Sequence, residues 1–191
     1  MKTAAIERVV RLRIAITEGE RALARQLRHT VFCREQGLFS DSDHDAIDEI
    51  ALPLLALFQS NDHTSEHFNE EANEIANEVV SEVVGTVRIH EAARGLWFGS
   101  RLAVSTNVRR SGVIGSGLIR LAVGIAKAHG CKTFLAHVQT QNVPMFERLH
   151  WQSHSEEFMH GRPHHLMQAD LSCYAPIVDG DIGLLLPVPS T

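Results

Sequence analysis

The sequence predicts an α+β domain built on a single mixed, mostly antiparallel central sheet flanked by helices. Three observations carry this. Segments with the two-residue period of strands alternate with segments of helical period, in the order β, helices, three β, α, β, α, ββ. A glycine-rich turn at residues 111–117 stands between a strand and a long apolar helix. Finally, 191 residues at 44% hydrophobic and 21% charged make a globular composition that suits one domain of ordinary size.

Val10, Leu12, Ile14 and Ile16 alternate with polar neighbours, a first strand. Thr17-Glu18-Gly19-Glu20 reads as a helix start, because acids in the first turn complement the helix dipole. Ala22, Leu23, Leu27, Val31 and Phe32 then recur at helical spacing up to Gly37. Residues 39–48 form a turn-rich loop carrying Asp41, Asp43, Asp45 and Asp48, expected as a solvated acidic lip that attracts a cationic amine. Leu54–Phe58 has strand length, and the polar, acid-rich residues 61–79 are expected as an exposed insertion between two strands. Residues 83–90 and 96–104 read as a hairpin. The helix bearing Leu118, Ile119, Ala122, Ile125 and Ala126 closes at His129-Gly130, where glycine suits the left-handed position after a helix. A strand at 133–138, a short helix at 143–149 and strands at 153–159 and 165–172 follow. The domain is expected to span residues 8–175, with 176–191 as a C-terminal tail.

Eighteen Lys and Arg against 23 Asp and Glu give a net charge of −5, which argues against a nucleic-acid binder with its clustered basic face. The most apolar stretch, residues 113–128, is interrupted by Arg120 and Lys127 and is too short to span a bilayer. The N-terminus has no apolar signal region, and Cys33, Cys131 and Cys173 are far apart and odd in number. The expectation is a cytoplasmic protein with free thiols and no membrane partner.

The strongest local signal is the strand–glycine loop–helix from Arg101 to Ala128. Glycines let a backbone approach a ligand closely, and the free N–H groups of a helix N-terminus bind phosphate. No G-K-[ST] follows, so this is not a P-loop. The G-x-x-G-x-G spacing and flanking strands expected to be antiparallel also argue against a dinucleotide fold. The same residues would equally make a tight turn with a small-residue packing face.

Arg101-Leu102-Ala103-Val104, then Arg109, Arg110, Gly112, Gly115 and Gly117, then Leu118-Ile119, resemble motif A of the GNAT acyltransferases. Residues 142–151, N-V-P-M-F-E-R-L-H-W, resemble motif B. Arg28, Val31-Phe32, Glu35-Gln36-Gly37, Asp45 and Asp48 are similar to the opening of a small-GNAT branch, and Gly161-Arg162-Pro163-His164 with Met167 is similar to its G-I-P-H-x-x-M ending. A bacterial group of nitrogen-starvation N-acetyltransferases is the finer resemblance. It implies acetyl-CoA as co-substrate, with the pantetheine arm along Leu102, Ala103 and Val104. The pyrophosphate would lie on Arg109, Arg110, Gly112, Ile114, Gly115, Ser116 and Gly117, with Asn142 and Phe146 contacting the cofactor from motif B. The motif register stays open by one residue: Arg109 with Gly112, or Arg110 with Gly115. Ile114 or Val113 then replaces a glycine, which is tolerable if that residue keeps a negative φ.

Two departures concern the chemistry. Phe146 stands where many relatives carry the tyrosine that protonates the departing thiolate, and Ser100 stands where the branch often has a glutamate base. Acyl transfer to an amine needs a proton acceptor, and histidines are the available supply. His90 at the end of a strand is the first choice, with His137 and His164 next. Tyr174, the only tyrosine, could supply a phenol if its strand end folds back. A ping-pong route through Cys33 is not expected.

His63-Thr64-Ser65-Glu66-His67 matches a zinc-peptidase pattern, but the stretch is polar and offers no third ligand. The His150/His154 and His160/His164/His165 spacings lack an acidic or soft ligand, and the Asp41/Asp43/Asp45 run lacks the glycine and glutamate of a calcium loop. No metal is expected. The resulting expectation is direct acetyl transfer to a small-molecule primary amine, with a homodimer left open. The alternatives are a non-catalytic CoA-binding module and an acyl-homoserine-lactone-synthase-like acyltransferase.

Overall fold

A computed structural model describes residues 8–58 and 82–188. Eight strands form one sheet: β1 (Arg8–Ile14), β2 (Leu52–Phe58), β3 (Val83–Ala93), β4 (Leu96–Val104), β5 (Thr133–Gln139), β6 (Trp151–Met159), β7 (Arg162–Ala169) and β8 (Leu184–Val188). Their spatial order is β6-β7-β5-β4-β3-β2-β1-β8. The helices are α1 (Glu18–His29), α2 (Val113–Ala128) and α3 (Val143–Arg148). The expected insertion at 61–79, with His63, Glu66 and His67, lies outside the described residues.

Local chemistry sets the element ends. Thr17 accepts a hydrogen bond from the Glu20 N–H, and the Glu20 carboxylate returns to the Thr17 N–H, a capping box that starts α1. Past His29 the chain widens into a π-helical turn, Thr30–Glu35, before Gly37 takes a left-handed φ of 61° and stops it. The single long helix expected up to Gly37 therefore changes its winding midway. α2 ends as expected, with Gly130 at φ 84°.

Two expectations are corrected. The strands flanking α2 are parallel, not antiparallel: β4 pairs with β5 over Leu96–Gly99 against Thr133–Ala136. The helix between them supplies the crossover that a parallel pair requires. The segment past residue 175 is also not a loose tail. Its described residues include β8, antiparallel to β1 with Leu186 opposite Val10. Before that, Lys127 Nζ donates to the Leu171 and Tyr174 carbonyls, and the Ile177 N–H donates to the Gly124 carbonyl. This strap lies against α2 at Gly124, which is buried along with the sheet-facing Leu118. A Cβ on Gly124 would meet Ile177 at 2.6 Å, so glycine sets how closely the strap can lie.

One irregularity positions the site. Between Thr86↔Ala103 and Arg88↔Ser100, β4 uses one more residue than β3, and Arg101 takes a left-handed φ of 56°. This bulge bends β4 away from β5 past Gly99, opening a cleft in the middle of the sheet.

Candidate active site

A cavity of about 140 Å³ occupies that cleft. Gly99, Ser100, Arg101 and Leu102 of β4 form one wall, and Ala136–Gln139 of β5 the other. Asn142 and Phe146 line one part, while Phe32, Gln36, Phe39, His160 and His164 line another. Gln139 Nε2 donates to Gln36 Oε1 at 3.0 Å, and Arg162 Nη2 donates to the Gln36 carbonyl at 2.6 Å. These bonds tie the turn after α1 across the sheet and close the cavity on that side.

The expected acidic lip is instead a largely buried ionic network. Arg28 binds Asp43 at 2.7 Å and also Asp48; Arg88 binds Asp45 at 2.7 Å and Asp48 at 2.8 Å; Arg101 binds Asp43 and Asp45 at 3.2 and 3.1 Å. Arg88 is 2% exposed and Asp43 4%. Burial pushes the Asp48 carboxyl up, but hydrogen bonds from Arg28 and Arg88 outweigh this and hold it well below the usual carboxylate range. Asp45 is held down in the same way, against its own burial, by Arg88 and Arg101. Three arginines match three aspartates, so the network presents no surplus of negative charge to an amine.

The histidines separate. His137 and His164 line the cavity; His90 does not. His90 is buried with Nδ1 unpartnered, and burial and the neighbouring Arg88 cation both lower its pKa. Its ring stacks on Phe98 at 6.0 Å, and Phe98 stacks on His137 at 6.1 Å. His137 Nε2 lies 3.1 Å from Glu157. His164 is 6% exposed, and its Nδ1 lies 2.9 Å from the Arg162 carbonyl. That carbonyl can only accept, so Nδ1 carries a proton, and Nε2 is the nitrogen that offers a lone pair in the neutral ring.

Around α2, Gly112 takes φ 67° and gives no side-chain cap. The amides of Val113, Ile114 and Gly115 are the first of the helix and have no partner within it. The Ser116 N–H already donates to the Gly112 carbonyl, and its hydroxyl bonds the Gly112 and Val113 carbonyls. Among the described residues only Arg101, His150 and His160 are non-glycines at positive φ, so Val113 and Ile114 meet the backbone condition. Gly115 is roomy, its nearest side-chain atoms 3.9 Å from a notional Cβ, whereas at Gly117 a Cβ would meet Leu186 at 2.4 Å and Leu12 at 2.7 Å. Gly117 thus serves packing. Arg109 bridges Glu35 at 2.6 Å and donates to the Val104 carbonyl at 3.0 Å, while Arg110 is exposed. Ala103 is buried against Val31 and Phe32.

Tyr174 is fully engaged away from the cavity. Its hydroxyl donates to the Leu149 carbonyl and accepts from Trp151 Nε1 at 3.0 Å, so it is not placed to replace the missing phenol. Phe146 does line the cavity, edge-on to Trp151 with centroids 5.0 Å apart. Ser100 Oγ accepts from Arg88 Nε at 2.9 Å, using its oxygen to satisfy the buried cation. Burial and the neighbouring aspartates push the Cys33 thiol up, which lowers its reactivity as a nucleophile. Sequence reasoning missed Arg101, Phe39, Gln36, Gln139 and His160 as cavity residues; the β4 bulge, the turn after α1, the end of β5 and the β6–β7 turn bring them together.

The profile described as "Acetyltransferase (GNAT) family" matches residues 31–151, well over half of the chain. The chain belongs to the GNAT acetyltransferase family. That family uses acetyl-CoA as co-substrate, and the cleft between β4 and β5 beside the α2 N-terminus lies within the matched span. No curated protein matches the chain in sequence. Among solved structures, a Lactobacillus plantarum protein assigned as an N-acetyltransferase superposes with a TM-score of 0.68 at 18% identity, covering 85% of this chain and 98% of its own. Escherichia coli ElaA gives 0.62 at 16%, with 84% and 98% covered. An acyl-CoA N-acyltransferase of Pseudomonas aeruginosa gives 0.57 at 15%, with 84% and 98% covered. At these identities the likeness extends to the GNAT fold.

Among the described residues, no group of three or more His, Cys, Asp or Glu side chains is placed to hold a metal, and no helix is long and apolar enough to cross a membrane.

Proposed function

We propose that this chain transfers an acetyl group from acetyl-CoA to a small-molecule primary amine by direct transfer in a ternary complex. The observation that carries the reading is the cavity in the β4–β5 cleft, lined by His164 and Phe146, with the first amides of α2, Val113 (on Ser111 Oγ at 3.4 Å), Ile114 and Gly115, in the same matched region. Val113, Ile114 and Gly115 would receive the pyrophosphate, with Arg110 exposed beside them. Leu102, Ala103 and Val104 of β4 and Asn142 would contact the pantetheine arm. A space of about 140 Å³, roughly that of a benzene-sized guest, fits an acetyl group and a small acceptor better than a long acyl chain.

His164 is the base in this scheme. Its Nε2 lone pair takes the ammonium proton, directly or through one water; the amine nitrogen then attacks the thioester carbonyl carbon. The tetrahedral adduct collapses as its nitrogen sheds its second proton to solvent and the C–S bond breaks; the sulfur leaves as thiolate, taking its proton from solvent because Phe146 cannot donate one. His137 and His90 remain second choices, His90 because it does not reach the cavity. The finer kinship with nitrogen-starvation N-acetyltransferases rests on the Glu35-Gln36-Gly37 and Gly161–His164 segments, which pack together through Arg162 and Gln36.

The test is thermal shift with CoA, followed by thiol release from acetyl-CoA across an amine panel. Stabilisation by CoA with steady thiol release supports the enzyme. CoA binding without release from any amine would leave a CoA-binding module. Binding of S-adenosylmethionine would favour the homoserine-lactone-synthase-like alternative.

A further inference from the structure

The cavity also restricts what the acceptor carries besides its amine, a step that rests on the acyltransferase reading. Its titratable lining residues are Arg101, His137, His160 and His164; among the described lining residues there is no Asp or Glu. The acids that touch lining residues are Asp43 and Asp45, which lie against Arg101 and are already held by guanidinium groups, and Glu157, 3.1 Å from His137 Nε2. A polyamine would bring a second ammonium against a lining that itself holds no carboxylate, at a desolvation cost.

Arg101 is aimed and held. Its Nε and Nη2 donate to the Asp43 carbonyl at 3.2 and 3.1 Å, and Nη2 also donates to Asp45 Oδ2 at 3.1 Å. The guanidinium lies 4.6 Å over the Phe39 ring, and Phe39 in turn meets His160 at 4.8 Å. Nη1 makes no hydrogen bond among the described residues, yet it is not one of the buried unpartnered atoms, so its two N–H groups are reachable. A guanidinium locked in place with free donors, at the wall of a cavity with aromatic and imidazole sides, is a preorganised receptor for a carboxylate.

We propose that the acceptor is an amine that also bears a carboxylate, an α-amino acid, with its carboxylate on Arg101 Nη1 beside His160 and its amine toward His164. This arrangement receives both charges of a zwitterion: the carboxylate meets a fixed cation and the ammonium meets a proton acceptor.

The test uses the full chain loaded with CoA. Calorimetry compares each common amino acid with its decarboxylated amine and with spermidine, and thiol release from acetyl-CoA is followed for the same panel. At least one amino acid should bind about tenfold or more tightly than its decarboxylated partner. That preference should vanish in Arg101→Gln and be partly restored in Arg101→Lys. Because Arg101 also ties the ionic network, the comparison within the unmodified protein decides the matter if the variants fold poorly. Equal or tighter binding of the carboxylate-free amines, or no amino-acid binding at all, overturns the inference. Thiol release with carboxylate-free amines alone would overturn it while leaving the acyltransferase reading in place. Selective amino-acid binding without thiol release from any amine would do the reverse.

Discussion

A buried imidazole helps proton transfer only if its lone pair meets a reactant, and this separates three histidines that look alike in sequence. His164 has Nδ1 committed to the Arg162 carbonyl and lines the cavity; His90 is buried outside it against Phe98. His164→Gln is therefore expected to keep its CoA affinity, lose about 10²-fold in kcat, and lose the acid limb of kcat/KM against pH. His90→Gln should leave that limb in place and change kcat by no more than about threefold. Paired pH–rate profiles check both, and a lost limb in His90→Gln alone would return the base to β3. Phe146 invites the opposite experiment. Phe146→Tyr adds a proton donor at the cavity wall, so CoA binding should hold and kcat should rise, by up to about 10²-fold if thiolate protonation limits the rate. A large fall in kcat with the fold intact would mean that the phenyl ring itself packs on a substrate.

At the scale of an element, the start of α2 divides its glycines between two tasks. Gly115 has free space and an unpaired amide; Gly117 is pressed by Leu12 and Leu186. Gly115→Asp, placing a negative charge at the phosphates, should lower CoA affinity by more than tenfold, about 1.4 kcal/mol, with little change in melting temperature. Gly117→Val should do the reverse at the level of the fold, pushing the Leu12 and Leu186 side chains aside and costing about 1–3 kcal/mol. Calorimetric titration and thermal melts separate the two outcomes. The division was only half legible in the sequence. The strand period, the helix stop at Gly130 and the hairpin of β3 and β4 followed from local pattern, because each is set by neighbours within a few residues. The parallel pairing of β4 with β5, the β8 strand and the packing duty of Gly117 depend on residues far along the chain. The bulge at Arg101 leaves no local mark either, since the residue that adopts the left-handed backbone is an arginine rather than a glycine.

Across the whole molecule, the same distance effect turned a cluster of aspartates into something it is not. Asp43, Asp45 and Asp48 are close together in sequence, while the arginines that neutralise them come from α1, β3 and β4, up to 58 residues away. Read locally the run is a solvated acidic lip; folded, it joins the helix layer to the bulge that shapes the cavity. The network then has to show itself in acid. The carboxyls of Asp45 and Asp48 lie below their ordinary value in the folded chain, whereas in the unfolded chain they titrate near 3.9. Their contribution is thus fully present above about pH 4 and is lost as the pH falls through the depressed folded values. Asp48→Asn removes one such carboxyl and leaves Arg28 and Arg88 short of a partner, so at pH 7 it should be less stable by about 3 kcal/mol. Its stability should also fall less steeply than that of the unmodified protein between pH 5 and pH 3, because one proton fewer is taken up on unfolding. Urea unfolding at a series of pH values measures both the offset and the slope. Parallel slopes would mean that Asp48 titrates alike in both states and that the network does not hold its carboxyl down.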